Sequence, residues 1–339
     1  MQNSKLKILQ IGLGSMGKRR IRNLLFHKIK PEQICGFDIS EKRCLEVKKE
    51  YNIRTINNFQ KALKEFKPNV FIISTPPNLH DKYFLYAAKH KINFFVEVPT
   101  VDRGYKELLP MLTKKFVAAP SCTFRYVPAI KKIKELLDEN TIGQPLTFNH
   151  YLGQYLPDWH PYEDYRKVYF AQKETGGARE MLPYELNWLS FIFQSLPIKA
   201  TGISAKVSSL EMTADDIYSV IAKFKNGIIG NIMIDLLNRE AGRTLKIIGS
   251  KGTIDWNWLK YEIRIMRAGE KKSRLINVKK VKQFKHYNTT EDIYIEEIKY
   301  FLDAINKKKP YPYSFKEDHQ ILKVYNIFGK GENSFKMIK

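Results

Sequence analysis

The feature that most constrains this chain is a glycine-rich turn, Gly12-Leu13-Gly14-Ser15-Met16-Gly17. It follows an apolar strand predicted over Lys7 to Ile11 and opens a helix predicted over Met16 to Phe26. Gly12 permits the tight turn, Gly14 lets the backbone approach a pyrophosphate, and Gly17 lets the helix pack closely on the strand. The start of the helix then presents unpaired N–H groups and a partial positive charge to the phosphates. This pattern predicts a dinucleotide-binding Rossmann domain.

A carboxylate, Asp38, follows the second predicted strand, Ile34 to Phe37, 21 positions after Gly17. At this position it can accept hydrogen bonds from both adenosine ribose hydroxyls, and it repels a 2′-phosphate. NAD(H) is therefore favoured over NADP(H). Lys42 and Arg43 are near enough to leave NADP(H) open, and the alternative interpretation of Asp38 is a simple turn residue.

Strands and helices alternate through the first third of the chain. The segment after Ser40 predicts a charged helix with that serine as its N-cap. The alternation continues through Phe59 to Phe66 (helix), Val70 to Thr75 (strand), Leu79 to His90 (helix), Phe94 to Glu97 (strand) and Tyr105 to Lys114 (helix). The apolar strand at 70–75 lacks polar alternation, which is typical of a strand buried on both faces. We therefore expect an α/β fold, with a doubly wound parallel sheet in a domain of residues 1–122.

The pattern changes from residue 123 onward. A helix is predicted over Pro128 to Leu137, and Asn226-Gly227 predicts a hairpin between the strands Ile217 to Phe224 and Ile228 to Leu236. Two further helices, Asp292 to Lys307 and Lys316 to Phe328, are predicted on either side of Pro310-Tyr311-Pro312. Residues 123–339 are expected to form an α+β domain with a large, mainly antiparallel sheet.

The formal net charge of +23 raises the question of an anionic partner. The lysines, such as Lys61, Lys64 and Lys67, are spread over the predicted helices, and no arginine-rich arm or nucleic-acid motif accompanies them. We therefore expect a solvated surface or a cleft that attracts phosphates, and no nucleic-acid partner.

The remaining bounds concern metals and membranes. Cys35, Cys44 and Cys122 are odd in number and lack a CxxC pairing, which argues against a disulfide framework and against a zinc site, so no metal is expected. The sequence has no signal-peptide segment and no apolar run of the roughly 18 residues that a membrane span needs. A cytoplasmic protein without a membrane partner is expected.

Four motifs, in their order and spacing, resemble the Gfo/Idh/MocA oxidoreductases. They are the glycine turn, Ser74-Thr75-Pro76-Pro77-Asn78-Leu79-His80, Glu97-Val98-Pro99 and Arg125-Tyr126-Val127-Pro128, and the similarity continues in Gly176-Gly177 and Gly249-Ser250-Lys251-Gly252-Thr253. The resemblance implies an NAD(P)-dependent dehydrogenase with a substrate pocket between its domains, and a homo-oligomer, dimer or tetramer, formed through an open sheet. The cofactor-binding residues that it and the glycine turn imply are Gly12, Gly14, Ser15, Met16, Gly17, Asp38, Ser74, Thr75, Pro76, His80, Glu97, Val98 and Arg125. His80 is alternatively a helix-start residue.

The segment from Tyr155 to Arg166 resembles a branch of the family associated with surface-polysaccharide and sialic-acid-like sugar biosynthesis. Its aromatic faces, carboxylates and arginine suit a polyhydroxylated ligand, phosphorylated or not. Trp159, His160, Tyr165 and Arg166 are the expected substrate-binding residues. The alternative is a packed aromatic loop in which His160 is a structural imidazole. The resemblance thus implies oxidation or reduction at a carbinol or keto carbon of a sugar or nucleotide-sugar.

The chain departs from the family pattern at its chemical centre. The family lysine that holds the reacting oxygen falls on Val98, which cannot donate a hydrogen bond. Aligned at Gly176-Gly177, the family aspartate falls on Met181 and its acid/base histidine on Tyr184, or on Glu185 if the helix shifts by one residue.

Three interpretations of these departures stay open. In the first, Tyr184, Glu185 or Glu180 transfers the proton, with Glu180 and Tyr184 on one helix face. In the second, the chain is a lysine-independent reductase of the biliverdin reductase type. In the third, it is an NAD-binding regulatory or partner subunit with impaired catalysis.

Overall fold

The computed structural model describes residues 6–159, 163–173, 176–278 and 290–326, with backbone alone at 179 and 324–326. The chain divides into two compact units. The first contains residues up to Thr123 together with Glu291–His319, and the second contains Phe124–Thr290 and the residues from Gln320 onward. No helix among the described residues has the length and apolar character that a membrane span requires.

The first unit is built on a six-stranded parallel sheet in the order β3-β2-β1-β4-β5-β6. The strands are β1 (Ile8–Ile11), β2 (Ile34–Phe37), β3 (Arg54–Ile56), β4 (Val70–Ile73), β5 (Asn93–Val96) and β6 (Ala118–Pro120). The helices that connect them are α1 (Ser15–Phe26), α2 (Glu41–Tyr51), α3 (Phe59–Phe66), α4 (His80–Lys89) and α5 (Tyr105–Met111). The strand order reverses direction at β1 and β4, and in an open α/β sheet ligands bind beyond the carboxyl ends of the strands at such a point. The predicted doubly wound Rossmann sheet is confirmed.

Local sequence accounts for most of these boundaries. β1, β2 and β4 are buried at every residue, as expected for strands covered on both faces. Helix α2 begins as predicted at Ser40, whose side chain accepts a hydrogen bond from the Arg43 N–H. The short strands β3 and β6 were not predicted, because three residues carry too little periodicity to be recognised.

Helix α8 (Glu291–Ile305) packs with the first unit and not with the second. Its apolar face joins the core of the Rossmann sheet, where Ile298, Phe301 and Leu302 cluster with buried residues such as Ile72 and Phe95. The predicted division at 122/123, which assigned this helix to the second domain, therefore differs from the structure. The reason is that the chain returns to complete the first core after building the second sheet.

The second unit contains an eight-stranded, mainly antiparallel sheet in the order β14-β13-β12-β11-β7-β10-β9-β8. Its strands are β7 (Pro145–Gly153), β8 (Pro197–Ala205), β9 (Ile217–Phe224), β10 (Ile229–Asp235), β11 (Gly242–Gly249), β12 (Gly252–Asn257), β13 (Glu262–Arg267) and β14 (Arg274–Asn277). The predicted hairpin at Asn226-Gly227 is present, with Gly227 at φ 94°. Among the described strands of this sheet, only the pair β7 and β10 is parallel.

Two helices of the second unit, α6 (Pro128–Asp138) and α7 (Ala178–Phe193), contact each other, and α7 contacts β9 and β10. The inner face of the sheet packs against α7 through aromatic rings: Phe148 of β7, Phe224 of β9 and Phe193 of α7 are in mutual contact. The strands alternate between buried and exposed residues, so the other face carries the exposed side chains. Helix α9 (Phe315–Asn326) is the last described element.

Candidate functional site

The glycine turn has the geometry that its sequence predicts. Gly12 has φ 87°, a left-handed conformation that side chains disfavour, and a Cβ there would lie 2.5 Å from the Ser74 carbonyl oxygen. A Cβ on Gly17 would lie 1.9 Å from the carbonyl oxygen of Gly12. Both positions therefore require glycine for the turn and the helix to approach each other.

Gly14 differs from Gly12 and Gly17, because outside its own stretch of chain no heavy atom of the described residues lies within 4 Å of the place its Cβ would occupy. It is the N-cap of α1, and no side chain that the structure describes caps this helix end. The first turn, Ser15 to Lys18, contains no acidic residue. Open space therefore meets the positive end of the helix dipole, an arrangement that fits a pyrophosphate.

Asp38 is buried directly beside this turn. Its carboxylate accepts hydrogen bonds from the backbone N–H groups of Leu13 (2.8 Å) and Ser40 (2.9 Å). An Arg43 Nη atom lies 3.6 Å from one carboxylate oxygen, and more than half of the Arg43 side chain is exposed. Each carboxylate oxygen can accept more than one hydrogen bond, so Asp38 can still accept from a ribose.

Residues after β4 line the same edge of the sheet. Ser74 donates to Glu97 (3.2 Å), Thr75 is half-buried, and Pro76 is exposed. His80 is buried, and its Nε2 hydrogen-bonds the Thr75 carbonyl oxygen at 2.8 Å. Burial lowers the pKa of His80 to about 4, against the opposing effect of that hydrogen bond. The imidazole is therefore neutral near pH 7.

Within the described part of the chain, the hydroxyl of Thr75 and the Nδ1 of His80 are buried without a hydrogen-bond partner. Such orphaned polar atoms are costly unless a ligand or water satisfies them. Their position beyond the carboxyl end of β4 fits a bound cofactor.

Glu97 belongs to a buried ion cluster that sequence reasoning missed. Arg20 holds it with two hydrogen bonds of 2.6 and 2.8 Å and also pairs with Glu297 of α8 at 2.8 Å. Glu297 is fully buried and accepts from Ser121, Thr123 and the Cys122 N–H. Val98, which follows Glu97, is buried at 7% exposure and offers no hydrogen bond from its side chain. The cluster fixes the chain at the ends of β5 and β6.

The predicted proton-transfer residues lie on α7 of the second unit. Glu180 is buried at 2% exposure, and burial raises its pKa well above the usual range. Tyr184, one turn later, is half-buried, and its ring meets that of Phe124 edge-on with centroids 6.3 Å apart. Pro183 between them removes one helical N–H donor.

Glu185 is the centre of a second buried cluster. It accepts hydrogen bonds from His150 Nε2 (2.7 Å), Trp188 Nε1 (2.8 Å) and Arg243 Nε (3.1 Å). Burial alone would raise its pKa, but the charge of Arg243 and the hydrogen bonds from His150 and Trp188 override this effect and hold the pKa at about 2. Glu185 is therefore an ionised structural anchor, which makes it a poor proton donor. Sequence spacing gave no signal for His150 or Arg243, which are distant in the chain.

The other predicted residues of the second unit make local contacts. Arg125 is buried and donates to Asn187 at 2.9 Å. Trp159 packs edge-on against Phe170, with ring centroids 4.4 Å apart, and its Nε1 has no partner among the residues that are described. His160 lies outside the described residues.

Tyr165 and Arg166 form part of the same surface segment. The Tyr165 hydroxyl accepts from the Glu211 N–H, and Arg166 pairs with Asp164 and Glu211 while half exposed. The structure thus gives these two residues internal partners, and their role toward substrate stays a prediction.

Family comparisons agree with this architecture. A family model described as "Oxidoreductase family, NAD-binding Rossmann fold" (GFO_IDH_MocA) matches residues 6–115. A second model, described as "GFO/IDH/MocA C-terminal domain", matches residues 130–255. No curated protein matches the chain.

Solved structures with the same fold include several dehydrogenases. A levoglucosan dehydrogenase in complex with NADH is 16% identical, with 95% of each chain covered and a TM-score of 0.79. A UDP-N-acetylglucosamine 3-dehydrogenase from Acidithiobacillus ferrooxidans is 17% identical, with 97% of this chain and 98% of that chain covered and a TM-score of 0.76. An oxidoreductase from Agrobacterium radiobacter in complex with NAD+, L-tartaric acid and magnesium is 14% identical, with 96% and 95% covered and a TM-score of 0.81. At these identities the likeness concerns the fold.

Proposed function

The chain belongs to the Gfo/Idh/MocA family of oxidoreductases, and from this premise we propose that it transfers hydride between NAD and a carbinol or keto carbon of a sugar or nucleotide-sugar. The first unit is an NAD-binding Rossmann domain. The observation that carries the proposal is the open space at Gly14 beside an uncapped helix start. The sugar ligand is supported by relatives of the same fold, including a levoglucosan dehydrogenase crystallised with NADH and levoglucosan.

Different residues of the first unit bind different parts of the cofactor. The backbone from Gly12 to Gly17 receives the pyrophosphate, and Asp38 accepts from the adenosine ribose. Thr75 and the neutral His80 supply their unpaired polar atoms nearer the nicotinamide. Bound NAD supplies the hydride acceptor, and NADH the donor. NADP(H) is a weaker alternative, in which Arg43 meets the 2′-phosphate.

Tyr184 is the proposed proton-transfer residue. Its position is where the resemblance places the family histidine, and its side chain is half-buried, whereas Glu185 is fully enclosed by its three partners. Glu180, whose pKa is raised by burial, lies at helical spacing from Tyr184 and is the second candidate. Valine at position 98 cannot supply the hydrogen bond that the resemblance assigns to a lysine there, so the proposed proton transfer depends on Tyr184.

The proposal extends to partners and setting. A homo-oligomer formed through the exposed face of the second sheet is supported by exposed apolar residues on neighbouring strands: Ile203, Ile221, Ile229 and Met233. A cytoplasmic role in building cell-surface carbohydrates is supported by the resemblance of the 155–166 segment alone. Trp159, His160, Tyr165 and Arg166 are the proposed substrate contacts.

The test is NADH formation or oxidation with a panel of sugars, sugar acids and nucleotide-sugars, for the full chain and for Tyr184→Phe. We expect turnover on one substrate class, reduced about 10²–10⁴-fold in the variant, the usual contribution of a positioned acid or base. Tight NADH binding without turnover on any class would instead favour the catalytically impaired subunit, for which the absence of the lysine at Val98 is the supporting observation. Turnover unchanged in Tyr184→Phe would favour Glu180 or a lysine-independent reductase.

A further inference from the structure

Arg243 of β11 packs on the ring of Phe124, which also contacts the ring of Tyr184. Its guanidinium carbon lies 4.4 Å above the Phe124 ring and 5.5 Å from the centre of the Trp258 ring. Its Nε donates to the buried Glu185, and only 14% of the side chain is exposed. The two aromatic rings and Glu185 thus fix the orientation of the guanidinium. Because the side chain is already ordered, a ligand that binds to it causes little further loss of side-chain entropy.

The opposite edge of this guanidinium is unused. Neither Nη atom has an acceptor on any residue that the structure describes, and neither is among the buried unpaired atoms, so both donors are accessible. An arginine edge with two parallel N–H donors matches a carboxylate or a phosphate.

The sharing of the Glu185 carboxylate also leaves room for an anion at Arg243. The Nδ1 of His150 lies 2.9 Å from the Thr244 carbonyl oxygen, and its Nε2 lies 2.7 Å from the ionised Glu185. The carboxylate of Glu185 is thus shared among His150, Trp188 and the Nε of Arg243. It engages only one edge of the Arg243 guanidinium, so among the described residues the Nη edge of this cation has no counter-ion of its own.

We propose that the accessible edge of Arg243 binds an anionic group of the substrate, a carboxylate or a phosphate carried by a sugar, whose ring packs on the adjacent aromatic side chains. The proposal rests on the proposed function only in taking the ligand to be a sugar. It narrows the substrate class to anionic sugars such as sugar acids, sugar phosphates and nucleotide-sugars, and it makes Arg243 a specificity-determining residue.

The experiment is calorimetric titration of the full chain, saturated with NADH, with glucose, glucuronate and glucose 6-phosphate. The neutral sugar is the baseline, and the two anionic sugars distinguish a carboxylate from a phosphate. We expect at least one anionic sugar to bind roughly tenfold to hundredfold more tightly than glucose, as hydrogen bonds to a charged group produce.

Three variants test whether Arg243 causes the preference for an anionic sugar. Arg243→Gln should abolish the preference for the anion. Arg243→Lys keeps a cation beside Glu185 and so serves as the folded variant if Arg243→Gln is unstable. It should still lose most of the preference for the anion, because an ammonium cannot pair with Glu185 and also present two parallel donors to a ligand. Arg264→Gln removes an exposed cation from β13 of the same unit and should change nothing.

Equal affinity of the wild type for all three sugars, or no binding of either anion, would overturn the proposal. A preference that survives in Arg243→Lys at full strength, or that disappears in Arg264→Gln, would overturn it as well. Binding needs no turnover, so an Arg243-dependent preference without NADH oxidation would contradict the proposed function alone. NADH oxidation with neutral sugars and no anionic preference would contradict this inference alone.

Discussion

Replacing Gly14 by alanine tests the cofactor site without disturbing the fold. The backbone at Gly14 has φ −71° and ψ −166°, which alanine adopts freely, and the described residues leave the space around a new methyl group empty. The cost to the free protein is therefore the small difference between glycine and alanine as an N-cap, below about 1 kcal/mol. With cofactor present, the methyl group occupies the space assigned to the pyrophosphate.

The expected loss of affinity follows from the contacts that the methyl group blocks. One hydrogen bond to a charged group contributes about 1.5–3 kcal/mol. Losing one such bond weakens NADH binding by roughly tenfold to a hundredfold, since about 1.4 kcal/mol is a factor of ten. Calorimetric titration with NADH measures this change, and a thermal melt of the same sample measures the stability of the fold.

Gly17→Ala is the matched contrast. Its methyl group would lie 1.9 Å from the Gly12 carbonyl oxygen, so the turn has to move and the melting temperature should fall, by several degrees for a cost of about 1–3 kcal/mol. Unchanged NADH affinity in Gly14→Ala would refute the assignment of this turn to the pyrophosphate. A fall in its melting temperature equal to that of Gly17→Ala would refute the reasoning that the space is empty.

Three further predictions concern single residues. Arg43→Ala should weaken NADPH binding about tenfold while leaving NADH binding nearly unchanged, because only the 2′-phosphate would meet this guanidinium, and paired titrations check it. His80 has its folded-state pKa lowered to about 4 from an unfolded value near 6.5, so protonation favours the unfolded chain as the pH falls through this window. Urea unfolding should show the wild type losing about 2 kcal/mol more than His80→Asn between pH 7.5 and pH 5, and equal losses would remove His80 as the cause. Glu185→Gln should lower the free energy of unfolding by about 3–5 kcal/mol, because it breaks a buried cluster of hydrogen bonds and charges. A variant that loses activity but not stability would instead indicate that Glu185 takes part in proton transfer.

The elements that the sequence predicts well are those with local causes. The α1 turn depends on glycines within six residues, and α2 begins at a serine that caps it. The boundaries of β9 and α3 follow from periodicity and agree with the structure residue by residue. Local patterns of this kind need no knowledge of the rest of the chain.

The parts that escaped prediction depend on contacts between distant residues. Arg20 pairs with Glu97 and also with Glu297, which lie far from it in the sequence, because α8 returns to the first core. The sequence position of Glu185 on α7 made it a candidate acid. Only the structure shows that His150 of β7 and Arg243 of β11 hydrogen-bond to it and stabilise its charge. A charged residue in a sequence does not reveal whether its partner will be solvent or a buried counter-ion.

The most direct test of the account is hydride transfer itself. NADH carrying deuterium at both C4 positions of the dihydronicotinamide would be incubated with the keto form of each sugar that binds, and the sugar product analysed by mass spectrometry. We expect one deuterium on the carbinol carbon of a product. Tyr184→Phe should lower the rate of this transfer without weakening NADH binding. Retention of both deuterium atoms on the cofactor with every bound sugar would contradict the account.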